Sequence, residues 1–454
     1  MKKNMILMAA INSSWSHTNP AFYYLREVIS DLPYEVQIKN WTSNDQLLDI
    51  LKELAEVQAK VICFSAYIWN CHILQQLIPE LKKLVDAKIV IGGPEANNLK
   101  STLAENDYLI TGAGEGKFRA LAESGFSLSQ NELANAKDIP LKDIPFPYRP
   151  EDLPELQGKL IYYELQRGCP YGCIYCLSAN DKRKELRFDP DNPKEAQRLS
   201  AELDRLNELQ PKTFKLVDRS FNTNKKLAHL VWNYLLDKGF CCDVHFEIYP
   251  DLLDDSDLEI LSKMPDRLLR FEIGIQTVNP EVAKASGRNS NWEKAKGMLQ
   301  KLKSKTKIRI HADLLSGLPS ESFDSVINSL NELCSCLPDA VQLGRLKILP
   351  DTPMQEVALE KGYKWLSDPP YTVLQSDALS FSELSLLEDY ARLLNLYWNK
   401  EEHAEKWKIL LGRYKADLVL DRLKEIHQRN GYELHSLAKG KRDAVMAEMY
   451  DKLM

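Results

Sequence analysis

Short apolar runs alternate with amphipathic helical stretches along most of the chain, and this alternation restricts the fold more than any other feature of the sequence. In the first 125 residues the runs are Asn4–Ile11, Tyr34–Trp41, Lys60–Ala66, Lys88–Ile91 and Tyr108–Thr111. Between them, Phe22–Ser30, Gln46–Val57 and His72–Val85 place apolar residues at three- and four-residue intervals. Strands alternating with helices predict an α/β domain, a doubly wound parallel sheet covered on both faces. Ligands of such sheets sit beyond the carboxyl ends of the strands. Two of those ends carry glycine-rich loops, Gly92-Gly93-Pro94-Glu95 and Gly112-Ala113-Gly114-Glu115-Gly116, where a backbone without side chains can approach a bulky ligand.

Residues 138–154 contain five prolines, which exclude a long helix or an inner strand and predict a stiff extended linker. A second alternation follows, with strands expected at Lys159–Gln166, Thr213–Val217, Asp243–Tyr249, Leu268–Ile275, Lys307–Leu315 and Val341–Leu346. Six strand–helix units predict a partial (β/α)6 TIM-like barrel over 155–375, with its reactive face at the strand carboxyl ends. From 376 to 454 the pattern is helical. The expected organisation is therefore a domain over 1–137, the linker, the barrel and a helical C-terminal domain, in keeping with ~150 residues per domain.

The 59 basic and 65 acidic residues leave a formal net charge of −6, which argues against nucleic acid as a partner held by bulk charge. Apolar stretches fall far short of the ~20 residues needed to span a membrane. Met1-Lys2-Lys3 followed by Met5–Ile11 imitates a signal peptide. That apolar core is short and runs into Asn12-Ser-Ser-Trp15, so a buried first strand is the better reading. A cytoplasmic, reducing location is expected, with the nine cysteines free for metal chemistry.

Three of those cysteines stand together in Arg167-Gly168-Cys169-Pro-Tyr-Gly-Cys173-Ile-Tyr175-Cys176, directly after the first barrel strand. Soft thiolates this close on one loop suit an iron–sulfur cluster. Three ligands leave one iron of a four-iron cluster open, and an open position marks a catalytic metal site. A structural zinc recruiting His245 or His311, or three inert buried thiols, are the weaker alternatives. The other six cysteines read as core packing.

The Cys169-x-x-x-Cys173-x-x-Cys176 spacing resembles the signature of radical SAM enzymes, and with the preceding half it is similar to the cobalamin-dependent members of that family. The resemblance covers roughly residues 1–375, and the tail around Pro370–Glu383 is similar to a C-terminal domain of unknown function. It implies a 4Fe-4S cluster on Cys169, Cys173 and Cys176, S-adenosyl-L-methionine (SAM), and cobalamin in a Rossmann-like first domain. For SAM it implies contacts from Tyr175, Asn222, Glu247, Glu272, Gln276, Gly317 and Pro319, with Arg288 on the carboxylate. For cobalamin it implies Ser65 at the nucleotide tail, with Tyr67, Trp69, Gly92, Gly93, Pro94, Glu95, Gly112, Gly114 and Glu115, and Asn70 capping the next helix. Ala113 departs from the usual Gly-Glu-Gly-Glu of that loop. The Asp-x-His-x-x-Gly motif that supplies a lower cobalt ligand elsewhere is missing, and His17 and His72 lack its context.

The implied activity is methylation of an unactivated carbon, a 5′-deoxyadenosyl radical abstracting hydrogen and methylcobalamin delivering the methyl group. Alternatives are a cyclase or ring-rearrangement enzyme with the same cofactors, or a non-catalytic cobalamin or cluster-bearing sensor. A tRNA methylthiotransferase would need a further cysteine set that the first half lacks. Expected partners are a small-molecule or peptide substrate and an electron donor such as flavodoxin or ferredoxin. Lys182-Arg183-Lys184 and Arg187 are candidates for meeting an acidic substrate.

Overall fold

In the computed structural model, which describes residues 4–453, the first apolar run is strand β1 (Asn4–Asn12), buried without interruption from Ile6 to Asn12. A strand with no polar alternation needs cover on both faces, and β1 has it. It pairs in parallel with β2 (Tyr34–Thr42) on one side and β3 (Val61–Ser65) on the other. Beyond β3 come β4 (Lys88–Gly92) and the two-residue β5 (Tyr108–Leu109). The order β2-β1-β3-β4-β5 reverses between β1 and β3, the switch point at which doubly wound sheets open a crevice. Helices α1 (Pro20–Glu27), α2 (Leu47–Glu56), α3 (Cys71–Leu81) and α4 (Glu115–Glu123) lie in the connections. Ile50 and Leu54 of α2 and Leu74, Leu77 and Ile78 of α3 share one core with Leu7, Ile62, Phe64 and Ile89 of the strands.

The proline-rich stretch forms short 3-10 turns at Leu141–Asp143 and Pro150–Asp152, and its Leu141, Ile144 and Tyr148 are buried. Asp152 takes both terminal nitrogens of Arg26, each at 2.6 Å. A bidentate pair this sheltered is a geometric lock on α1. Strands β6 (Leu160–Tyr163) and β7 (Thr213–Leu216) are neighbours, with helix α5 (Pro193–Glu208) between them in sequence. Arg187 is fully buried, its Nε 3.3 Å from Glu202 and its Nη2 donating to Ile144 O at 2.9 Å. The expectation that it meets a substrate is thereby corrected, because burying a guanidinium requires such fixed partners.

Compactness divides the chain into two units. The first comprises 4–166 and 185–215, the second 167–184 and 216–453. In the second unit β8 (Asp243–Ile248), β9 (Leu269–Gln276), β10 (Arg309–Ser316) and β11 (Ala340–Arg345) run parallel in chain order. Helices α6 (Lys225–Lys238), α7 (Trp292–Lys305) and α8 (Phe323–Ser335) alternate with the strands of this unit. In β9 and β10 every second residue is buried, Phe271, Ile273, Ile310, Ala312 and Leu314 among them. Glu272, Gln276, His311 and Asp313 share the opposite, half-buried face. The tail is helical, with α9 (Phe381–Leu393) started by a Ser380–Glu383 capping box, then α10 (Ala416–Asn430) and α11 (Lys439–Leu453). Among the described residues no helix is long and apolar enough to cross a membrane.

Candidate active site and cofactor cavity

In the first unit a cavity of about 160 Å³ opens at the carboxyl ends of β3, β4 and β5. Ser65, Tyr67, Gly92, Gly93, Gly112, Gly114 and Glu115 of the expected set line it together. Its other wall is apolar, from Phe22 and Leu25 of α1 and Phe118 of α4. Helical spacing marks those three only as core. The loops after β3 and β4 are stitched by Ala66 N donating to Gly92 O (2.7 Å) and Glu95 N donating to Ala66 O (3.1 Å). That approach requires glycine at 93. Its φ is +102°, and a Cβ there would stand 2.5 Å from Ala66 O.

Ser65 Oγ accepts from Asn19 Nδ2 at 3.0 Å, so its own hydroxyl hydrogen is free for a ligand. Asn19 Oδ1 is buried without a partner, an acceptor suited to a ligand donor. Asn19 has no sequence signal beyond preceding Pro20 at a helix start. Trp69, Asn70, Pro94 and Glu95 do not line this cavity. Asn70 stands at the N-cap position of α3 without capping it. Its Oδ1 accepts from Tyr67 N (2.8 Å), and its Nδ2 donates to Ile11 O and Ser65 O (both 2.9 Å), joining the ends of β1 and β3. Glu95 accepts from Asn98 at 2.6 Å. Trp69 lies flat on Tyr67, centroids 4.3 Å apart and planes 6° apart, and is 42% exposed.

In the second unit the three cysteines share one loop as free thiols. Cys169 N donates to Asp181 O (3.1 Å), Ile174 N to Ser286 O (3.1 Å) and Met354 N to Ile174 O (3.0 Å). The loop is therefore held from both sides before any metal arrives. Burial raises the Cys169 thiol above its ordinary range, while the Tyr171 backbone N–H and the Ser220 hydroxyl pull it back. Zinc ligands at about 2.3 Å from the metal stand about 4 Å from one another. The sole set of three His, Cys, Asp or Glu ligand atoms within 4.8 Å of one another among the described residues is Glu402, His403 and Asp443. The three loop sulfurs do not form such a set.

Beside the loop, Tyr171 stacks on Tyr249 at 4.3 Å and the Arg288 guanidinium lies over the Tyr249 ring, 4.6 Å from its centre. Arg288 also donates to Gly274 O, and Gly287 packs so closely that a Cβ would stand 2.4 Å from Gly172 O. Arg288 is thus a brace of the cluster loop. Asn222 is likewise committed, donating to Tyr249 O and accepting from Tyr249 N, both at 2.8 Å. Glu247, Glu272 and His311 lie in one register row across β8, β9 and β10. Arg219 stands 3.4 Å from Glu247, and His245 Nε2 stands 3.0 Å from Glu272. Gln276 ends β9 at φ +69° with its Oε1 buried and partnerless. Burial raises the Tyr175 hydroxyl far above its usual range, and the neighbouring Arg288 guanidinium offsets this only in part. Gly317 O accepts from Tyr363 at 3.1 Å, and Pro319 is buried in the same turn. His245, His311 and Asp313 join this polar face, for which alternation along the strands was the available signal.

Family models match three consecutive stretches: a B12 binding domain over residues 8–122, the radical SAM superfamily over 163–333, and a protein of unknown function (DUF4080) over 360–439. The chain is 23% identical over 313 residues to the ribosomal protein uS12 methylthiotransferase RimO of Chlamydia pneumoniae, a match covering 63% of each. It is 24% identical over 350 residues to the cobalamin-dependent radical SAM methyltransferase TokK of Streptomyces tokunonensis, covering 67% of this chain and 49% of that protein. The chain therefore spans less than two thirds of these curated relatives. The solved structure of the cobalamin-dependent S-adenosylmethionine radical enzyme OxsB, with aqua-cobalamin and S-adenosylmethionine bound, superposes with a TM-score of 0.68 at 13% identity. The match covers 100% of this chain and 80% of that one, and shows a shared fold.

Proposed function

The chain belongs to the radical SAM enzymes that carry a B12-binding domain and a C-terminal domain of unknown function, and on that footing we propose that it methylates an unactivated carbon of a small-molecule or peptide substrate. The observation that carries this reading is the pairing of a three-cysteine loop with a separate glycine-floored cavity, two cofactor sites in one chain. When bound, the cluster with SAM supplies a 5′-deoxyadenosyl radical and methylcobalamin supplies the methyl group.

The chain's own residues have distinct tasks. Cys169, Cys173 and Cys176 would hold the cluster. Glu247, Glu272 and Gln276, with the Gly317–Pro319 turn, present polar atoms and backbone to SAM. Asn222 and Arg288, also expected at SAM, hold Tyr249 and the loop as well. Ser65, Asn19 and the glycines of the two loops receive the cobalamin tail, with Phe22, Leu25 and Phe118 excluding water. We retain domains of 1–137, 155–375 and 376–454 about the 138–154 segment, a cytoplasmic location, and flavodoxin or ferredoxin as electron donor.

Anaerobically reconstituted protein, reduced with SAM, is expected to release 5′-deoxyadenosine, and none released would end the radical reading. Extracts of cells with and without the gene, compared by mass, are expected to differ by a product one methyl group heavier. A product of unchanged mass would replace methylation by rearrangement.

A further inference from the structure

Among eight histidines, only His17 and His72 lie in the first unit. His72 is exposed on α3, its Nε2 3.1 Å from the Gln76 amide. His17 is placed quite differently. It follows β1, and the Ser65–Trp69 turn follows β3, so the two flank the switch point of the sheet. Immediately after His17, α1 begins and supplies Phe22 and Leu25 to the cavity wall.

The loop that carries His17 is fixed by β6. Leu160 N donates to Ser16 O and Thr18 Oγ1 donates to Leu160 O, both at 2.8 Å. One alternation further along β6, the Tyr162 hydroxyl lies 2.6 Å from His17 Nδ1, and the two rings are stacked 14° from parallel. An imidazole held by one nitrogen presents the other in a fixed direction, the arrangement by which proteins orient metal-ligating histidines. His17 is half-buried, and among the described residues its ring is hydrogen-bonded only through Nδ1. The Tyr67–Trp69 stack at the same strand ends leaves a flat aromatic face uncovered, suited to the apolar face of a macrocycle.

We propose that His17 is the protein's axial ligand to cobalt in the bound corrinoid, through Nε2, with Tyr162 fixing the ring. This rests on the cobalamin reading given above. Ligation selects the tautomer in which Nδ1–H donates to the Tyr162 oxygen. No electron or atom is transferred in the step, only a lone pair shared.

The test is the electron paramagnetic resonance spectrum of the cob(II)alamin-loaded, full-length protein. One axial nitrogen splits each cobalt line into three, and protein labelled with 15N-histidine is expected to show two. His17→Ala and His17→Gln are expected to abolish this splitting while keeping cobalamin bound within about threefold of wild-type affinity, a change under ~1 kcal/mol. Unsplit lines in wild-type protein overturn the assignment. So does a threefold splitting that persists in the labelled protein, which would mean the corrinoid's own base is bound, and so does a doublet that survives both substitutions. Protein that takes up no cobalamin overturns the cofactor reading and the ligand assignment with it.

Discussion

Glu321 follows the Gly317–Pro319 turn and is 1% exposed. Its Oε1 accepts from Thr277 at 2.6 Å and from Ser325 at 3.3 Å, while Oε2 is buried with no partner. Burial pushes the carboxyl up to about 7 from an ordinary 4.5, the two hydroxyls only partly offsetting it. Below pH 4.5 the group is protonated in folded and unfolded chains alike, and its burial carries no ionic penalty. As pH rises through 7 the unfolded chain has already released its proton and the folded chain must follow, so stability falls. Above 7 the deficit is full. A gap of about 2.5 pH units at 1.36 kcal/mol each is about 3 kcal/mol. Glu321→Gln keeps an oxygen for Thr277 and removes the titration. Hydrogen exchange of the α8 amides at pH 5 and pH 8, corrected for intrinsic rates, reads the local stability. The advantage of the variant over wild type is expected to grow by about 2 kcal/mol between those two pH values. An equal difference at both would refute burial as the source of the shift.

Three further outcomes are expected. Gly93→Ala places a Cβ against Ala66 O at a backbone angle that disfavours side chains, and should weaken cobalamin retention at least about tenfold, or ~1.4 kcal/mol, in equilibrium dialysis. Asn70→Ala removes the hydrogen bond from Tyr67 N and the two that join Ile11 and Ser65 at the ends of β1 and β3, and should lower exchange protection of Val61–Ser65 by about 2–4 kcal/mol. Arg288→Lys keeps the charge but loses the guanidinium contact over the Tyr249 ring, and should loosen loop 169–176 by about 1–2 kcal/mol in exchange protection of Ile174. An unchanged Ile174 would remove Arg288 from the brace.

The parallel strands are legible in the sequence because burial on both faces leaves unbroken apolar runs such as Ile6–Ile11 and Val61–Phe64. The cysteine loop is legible because its three ligands are local in sequence. What is not legible is the destination of polar side chains whose partners are distant backbone atoms. Asn70, Asn222 and Arg288 have the composition of ligand-binding residues, yet their bonds go to Ile11, Tyr249 and Gly274. Arg187 reads as part of a basic surface run, and only the fold reveals Glu202 and Ile144 closing over it. His17 shows the converse, a residue without motif context whose setting comes from a strand 145 positions further along.

The path of the backbone between the two units has a practical consequence for dissecting the protein. The chain leaves the first unit after Gln166, contributes 167–184 to the second, returns for Glu185–Lys215 and departs again. A truncation within 138–154 therefore deprives the amino-terminal fragment of Leu160–Tyr163 and of helix Pro193–Glu208. No single scission of the gene yields both halves whole, so autonomous expression of either calls for an internal deletion bridged by a designed joint.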